Sequence, residues 1–168
     1  KVAKMLELGY PGGAVISRLA ASGDPERFHF PRAYLDKEAF DFSFSGIKTA
    51  VKRHIETHPD YREHLADIAA GFEAAVVAVM ADKLIFAAEK HHCPNIAIVG
   101  GVAANAALRQ RVAQRAESRG MTLFVPDMKL CGDNAAMIAA AGYHYLSDPA
   151  FSGERLDADV YSRVRFID

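Results

Sequence analysis

The chain has 168 residues, enough for one domain with a sizeable core. Hydrophobic residues make up 51% and charged residues 24%, the balance of a soluble globular protein, and a net charge of −1 leaves no overall basic field to draw it to nucleic acid or an acidic membrane. Two cysteines, Cys93 and Cys131, build no disulfide framework, no apolar run approaches the roughly 18 residues of a spanning helix, and no signal-peptide pattern is seen, so a reducing, cytoplasmic setting without membrane contact is expected.

The opening "KVAKMLELGYPGG" has Val2, Met5 and Leu6 already at helical spacing with no cap residue before them, so the sequence is expected to be a piece of a longer chain. Lys1 to Leu8 reads as a helix tail stopped by Gly9 and Pro11. Val15, Ile16, Leu19 and Ala20 mark a second helix ending near Gly23. A long connection follows, with Phe28, Phe30, Phe40, Phe42 and Phe44 spaced for short strands or for an ordered loop pinned by rings. Ser45-Gly46 precedes a helix carrying Ile47, Val51 and Ile55, with Pro59 beyond its end. Asp60 and Glu63 have the spacing of a capping box, and the helix it opens runs to about Lys90. Leu65, Ile68, Phe72, Val76, Val79, Met80 and Ile85 spread over a wide arc, which predicts cover on more than one side.

Ile96 to Val99 is a short β-rich strand running into Gly100-Gly101 and a small-residue turn. A helix from Ala106 to Arg119 buries Leu108, Val112 and Ala116. "MTLFVPD" is a second strand, followed by a loop through Cys131 and a helix from Asn134 to about Leu146, and Val160 to Phe166 is a candidate short strand. Two parallel strands cannot cover their own faces and edges, so further strands are expected outside this sequence. Gly100 and Gly101 allow a sharp turn and close approach by a ligand at a helix N-terminus, the makings of a nucleotide cradle. They equally allow a helix merely to pack onto the sheet. The basic clusters Lys48, Lys52, Arg53 and Arg109, Arg111, Arg115, Arg119 read as solvated helix faces rather than phosphate sites.

Four motifs stand in series: "GYPGG" at 9–13, "DFSFSGIKTAV" at 41–51, "IVGGVAANAALR" at 98–109 and "CGDNAAMIA" at 131–139. In this order, and over nearly the whole chain, they resemble the tRNA N6-adenosine threonylcarbamoyltransferase family, bacterial type, formerly called glycoproteases or O-sialoglycoprotein endopeptidases. The resemblance implies an α/β fold, part of the second lobe of an actin-like, Hsp70-like ATPase fold with a ribonuclease-H-like core, helix-rich with two or more parallel strands. On that reading residues 1–93 form a helical insertion and 94–168 the last strand–helix units. The implied reaction moves a threonylcarbamoyl group from threonylcarbamoyl-AMP to N6 of the adenosine beside the tRNA anticodon.

By the same resemblance Gly13 and Asn105 contact the adenylate, or an ATP-like nucleotide, and Gly100 and Gly101 let the adenosine lie against the main chain. Taken alone, Gly13 is a helix-start glycine and Asn105 a helix N-cap. Asp133 matches the family's metal ligand for one divalent ion, iron or zinc, whose other ligands lie outside this chain. As a bare residue it is an N-cap. Gly132 replaces the family's usual Thr, so a neighbouring hydroxyl is missing and the rigidity of that loop is put in question. The family's His-x-x-x-His pair falls upstream, and its other substrate-contacting aspartate falls just before Lys1. His54 and His58, although four apart, match no family ligand and read as solvent-exposed at a fraying helix end. His91, His92 and Cys93 read as a helix terminus.

Implied partners are tRNA, a non-catalytic paralogue of the same fold and a P-loop ATPase. The 168-residue chain alone is expected to be inactive and to hold no ion tightly, one carboxylate being too few ligands. Two other functions compete. A peptidase would need a nucleophile with its base or, as a metallopeptidase, a complete metal pair with a glutamate, and neither constellation is here. A non-catalytic nucleotide-binding or partner-docking module of the same fold would lack the metal aspartate, so Asp133 favours the catalytic branch.

Overall fold

The computed structural model describes residues 1–32 and 39–150. They fall into two compact units, Lys1–Asp133 and the stretch beginning at Asn134. The first unit is helix-rich α/β. Its helices are α1 (Val2–Met5), α2 (Gly12–Ala20), α3 (Ser45–Thr57), α4 (Leu65–Lys90) and α5 (Ala106–Glu117), and its strands are β1 (Asn95–Ala97) and β2 (Thr122–Phe124).

The first helix is shorter than its spacing suggests, because Glu7 takes φ 59° and Gly9 φ 82°, which breaks the right-handed turn. Helix α2 starts at Gly12, earlier than its first apolar residue, and carries Ile16 and Ala20 into the core. Helix α3 buries Ile47 and Val51 on one stripe, as read from the sequence. The segments around Phe28–Phe30 and Phe40–Phe44 form no strand among the described residues; rings pin them instead. Phe30 is buried, Phe40 packs 5.8 Å from Phe86, and the Lys83 ammonium donates to the Ala39 carbonyl.

The capping box at Asp60 does not form. Tyr61–His64 makes a 3₁₀ turn in which the Glu63 N–H donates to the Asp60 backbone carbonyl at 2.9 Å, so the donor that the carboxylate would cap is already used. The Asp60 carboxylate lies 3.6 Å from His64 Nε2 instead.

Helix α4 is the spine of the unit. Its 26 residues span about 39 Å at the usual rise. Its first half buries Ile68, Ala69 and Ala70 in one core with Leu6, which directly follows α1, Ile16 of α2 and Val51 of α3. Its second half buries Ala81 and Ile85 in another with Ile96, Leu108 and Val112. The wide apolar arc is thus covered by two different partners along its length. Strands β1 and β2 pair in parallel, Asn95 opposite Thr122 and Ala97 opposite Phe124, with α5 as their crossover. The structure is therefore α/β with two parallel strands among the described residues, and the candidate strand at Val160 to Phe166 lies outside them.

In the second unit, α6 (Ala135–Leu146) is capped by Asn134, whose Oδ1 accepts from the Met137 N–H at 2.9 Å. Among the described residues no helix is long and apolar enough to cross a membrane.

Candidate functional site

Parallel pairing puts the C-terminal ends of β1 and β2 side by side, and Gly100, Gly101 and Asn105 follow the first and Asp133 the second, while Gly13 comes from α2. After β1 the chain reaches Gly100 at φ 77°, a left-handed conformation that glycine adopts without cost. A 3₁₀ turn, Gly101–Ala104, then delivers Asn105 to the start of α5. The Asn105 side chain makes the predicted cap: Oδ1 accepts from the Leu108 N–H at 2.7 Å.

The rest of that side chain is also engaged. Nδ2 donates to Glu73 Oε1 at 2.5 Å and to Ser17 Oγ at 3.3 Å. One amide therefore ties the N-terminus of α5 to the middle of α4 and to α2, where the two cores meet. Glu73 was not foreseen in the sequence, and its signal was faint: one carboxylate inside a long apolar run, between Phe72 and Ala74.

Gly13 comes to the same place. With Asn105, Glu73, Ile16, Phe72 and Val102 it lines a mostly apolar cavity of about 120 Å³. A Cβ at Gly13 would meet no heavy atom within 4 Å, so the glycine opens onto free space and is not needed for packing. The cavity is well below the roughly 300 Å³ at which small-molecule pockets begin, so it can seat only part of a nucleotide. Gly100 and Gly101 do not line it; they stand at the turn leading to Asn105. A larger hollow of about 400 Å³ is lined by Glu26, Arg32, Glu73, Gln110 and Arg111 and contains none of Gly13, Gly100, Gly101, Asn105 or Asp133.

Arg109 was read as part of a solvated basic face, and the structure overturns this. Its guanidinium turns inward: Nε donates to the Ala103 carbonyl at 2.5 Å, and Nη2 donates to the Pro126 carbonyl at 2.8 Å and to Cys131 Sγ at 3.0 Å. Other members of that cluster are ion-paired to α4, Arg115 with Asp82 at 2.8 Å and Arg119 with Glu89 at 2.5 Å. Charge spacing marks a basic stripe but not the acidic residues of a neighbouring helix.

Asp133 ends the first unit two residues beyond buried Cys131. It is not the cap of α6, since Asn134 takes that role. Its carboxylate is exposed, and no hydrogen bond or ion pair engages it among the described residues. A free carboxylate is a fitting hard donor for a divalent ion. The described residues hold no group of three His, Cys, Asp or Glu side chains that could bind an ion unaided.

The histidine pair at the end of α3 also departs from its sequence reading. His58 is exposed, but His54 is half-buried, edge-on to Phe28 at 4.7 Å between centroids and stacked on His58 at 4.1 Å. Burial lowers the His54 pKa from its ordinary 6.5, and His58 lowers it further; Asp60 raises it and His64 lowers it to smaller degrees. His91 and His92 follow the end of α4 as expected.

The sequence profile of TsaD, tRNA N6-adenosine threonylcarbamoyltransferase, matches residues 1–140. Proteins of that name are similar over almost the whole chain. The one from Desulforapulum autotrophicum is 52% identical over 99% of this chain and 50% of its own length. Those from Syntrophotalea carbinolica and Thermotoga neapolitana are 48% and 44% identical, over 94% and 95% of this chain and 47% and 48% of their own lengths. The chain spans about half the length of the curated relatives it matches.

Proposed function

Because the chain belongs to the tRNA N6-adenosine threonylcarbamoyltransferase family, we propose that it supplies half of a transferase that moves a threonylcarbamoyl group from threonylcarbamoyl-AMP to N6 of the adenosine beside the tRNA anticodon. The observation that carries this reading is the meeting of Gly13 and Asn105 at one cavity, two residues far apart in sequence and drawn from two separate motifs. Chance would rarely bring both to the same small opening.

In this reading the cavity seats one part of the adenylate, Gly13 leaving room for it and Gly100-Gly101 letting the main chain approach. Asn105 holds the start of α5 fixed beneath it, through its bonds to Glu73 and Ser17. Asp133 would hold one divalent ion, iron or zinc, jointly with ligands outside this chain, and such an ion supplies Lewis-acid polarisation of the carbamoyl-phosphate portion. The chain's own task is to hold the adenylate and that carboxylate at one edge, so that the tRNA nitrogen attacks a fixed target and AMP departs. Family membership also supports a non-catalytic paralogue and a P-loop ATPase as partners.

The test is detection of threonylcarbamoyladenosine in tRNA by mass spectrometry, using the full-length protein with and without Asp133→Ala. Loss of the modified nucleoside at normal protein levels is expected. Unchanged modification would refute the role given to Asp133.

A further inference from the structure

Arg109 bonds to both loops flanking the candidate site, the one after β1 and the one after β2. Its three acceptors belong to three segments: Ala103 in the turn before Asn105, Pro126 just after β2, and Cys131 in the loop that ends at Asp133. All three acceptors are neutral, and Arg109 forms no ion pair among the described residues, so this is not a structural salt bridge that happens to lie nearby. Cys131 is buried, with 3% of its surface exposed, and its Sγ also lies 3.5 Å from the Asp127 carbonyl. The planar fork is what makes this triple bridge feasible, since its donors point in fixed, different directions. Lysine offers a single point charge on a flexible stem and cannot span the same acceptors.

We propose that Arg109 is a positioning residue that locks the Asp133 loop to the glycine turn, so that the nucleotide-facing and ion-facing edges hold one fixed spacing. The proposal rests on the function given above for Asp133 and the glycine turn.

The experiment uses the full-length protein and its Arg109→Lys variant, with Zn²⁺ alone and AMP alone as probes, and thermal melting alongside. The variant is expected to melt within a few degrees of the parent, to retain Zn²⁺ about tenfold less tightly, as removal of an outer-shell support does elsewhere, and to bind AMP severalfold more weakly. Alkylation of Cys131 in the native state should quicken severalfold, a readout that does not depend on either ligand. Equal Zn²⁺ and AMP affinities in parent and variant, with the parent binding both, would overturn the positioning role. A parent that binds neither probe would instead refute the proposed function, while faster Cys131 alkylation in the variant would still support the lock. If Arg109→Lys does not fold, Cys131→Val removes the last link together with the Sγ contact to the Asp127 carbonyl, and Asp127→Ala, which leaves that backbone carbonyl and the Arg109 bond in place, serves as the control: weakened Zn²⁺ retention in Cys131→Val alone would support the proposal, and full retention would overturn it.

Discussion

Replacing Asn105 by Asp tests the hub at the candidate site, because it changes one part of the interaction and spares another. Asp caps a helix about as well as Asn, so the bond from the Leu108 N–H survives. The amide N–H groups vanish, and a second carboxylate arrives where Nδ2 now sits 2.5 Å from Glu73 Oε1. A hydrogen bond to a charged group contributes about 1.5–3 kcal/mol, and that is lost. Two like charges 4 Å apart at the edge of a protein repel by about 4 kcal/mol before relaxation and solvent screening reduce the figure. Glu73 is half-buried, so part of this repulsion persists, and a net loss of about 3 kcal/mol at pH 7 is expected from Asn105→Asp. The loss should shrink as pH falls from 7 to 4.5, because protonating one carboxyl of the pair both removes the repulsion and restores a donor. Adding Glu73→Gln should recover most of the stability at pH 7. Urea denaturation of the four proteins of this double-mutant cycle, at pH 7 and pH 4.5, measures all of it. Additive single effects, or an Asn105→Asp deficit that does not change with pH, would show that Asn105 and Glu73 are not coupled.

Two glycines should respond to the same substitution with opposite sign. A Cβ on Gly71 would collide with the Phe28 carbonyl oxygen, whereas one on Gly46 meets nothing within 4 Å. Gly71→Ala should therefore destabilise by about 1–2 kcal/mol despite its better helix propensity, and Gly46→Ala should stabilise by about 0.5 kcal/mol; a stabilising Gly71→Ala in urea melts would mean that α4 and the Phe28 segment do not pack this closely. His54 gives a pH dependence with a definite sign. Its folded pKa lies below 6.5, so the unfolded chain takes up the proton first: the His54 contribution is full above pH 6.5 and drains as pH falls toward the folded value. Stability measured between pH 7.5 and 5.5 should fall less steeply in His54→Gln than in the parent, and equal slopes would refute the assignment.

What could be read beforehand follows how local each interaction is. The spacing of Leu108, Val112 and Ala116 specified α5 and its buried face, because a helix repeats its own geometry. The Asn105 cap was equally legible, since the residue it bonds lies three positions on. The capping box at Asp60 failed although its signal is just as local, because a backbone carbonyl took the same N–H first. Long-range partners left little trace. Nothing near Asn105 in sequence points to Glu73, 32 residues earlier, and nothing near His54 predicts that Phe28 and Phe30 will cover it. The basic residues of α5 misled for the same reason: their spacing describes a stripe, while Asp82 and Glu89 on α4 and the carbonyls of Ala103 and Pro126 decide where each cation points.

The accounting of the Asn105 amide constrains how this edge can hold a ligand. The side chain has two N–H donors and an oxygen with two lone pairs. Both donor directions are taken, by Glu73 and by Ser17, and one lone pair serves the Leu108 N–H. The capacity that remains is a single acceptor site, so a nucleotide can meet Asn105 undisturbed only through one of its own donors, as a ribose hydroxyl would provide. A ligand that needs a donor from Asn105 must displace a partner, and the Ser17 hydroxyl at 3.3 Å is the weaker of the two. Displacing Glu73 would leave a half-buried carboxylate without its donor and loosen α5 from α4 together. The amide is therefore best suited to being a fixed reference point between three helices. Rigidity at that point would serve the proposed transfer, because a small misplacement of reacting groups lowers the rate steeply.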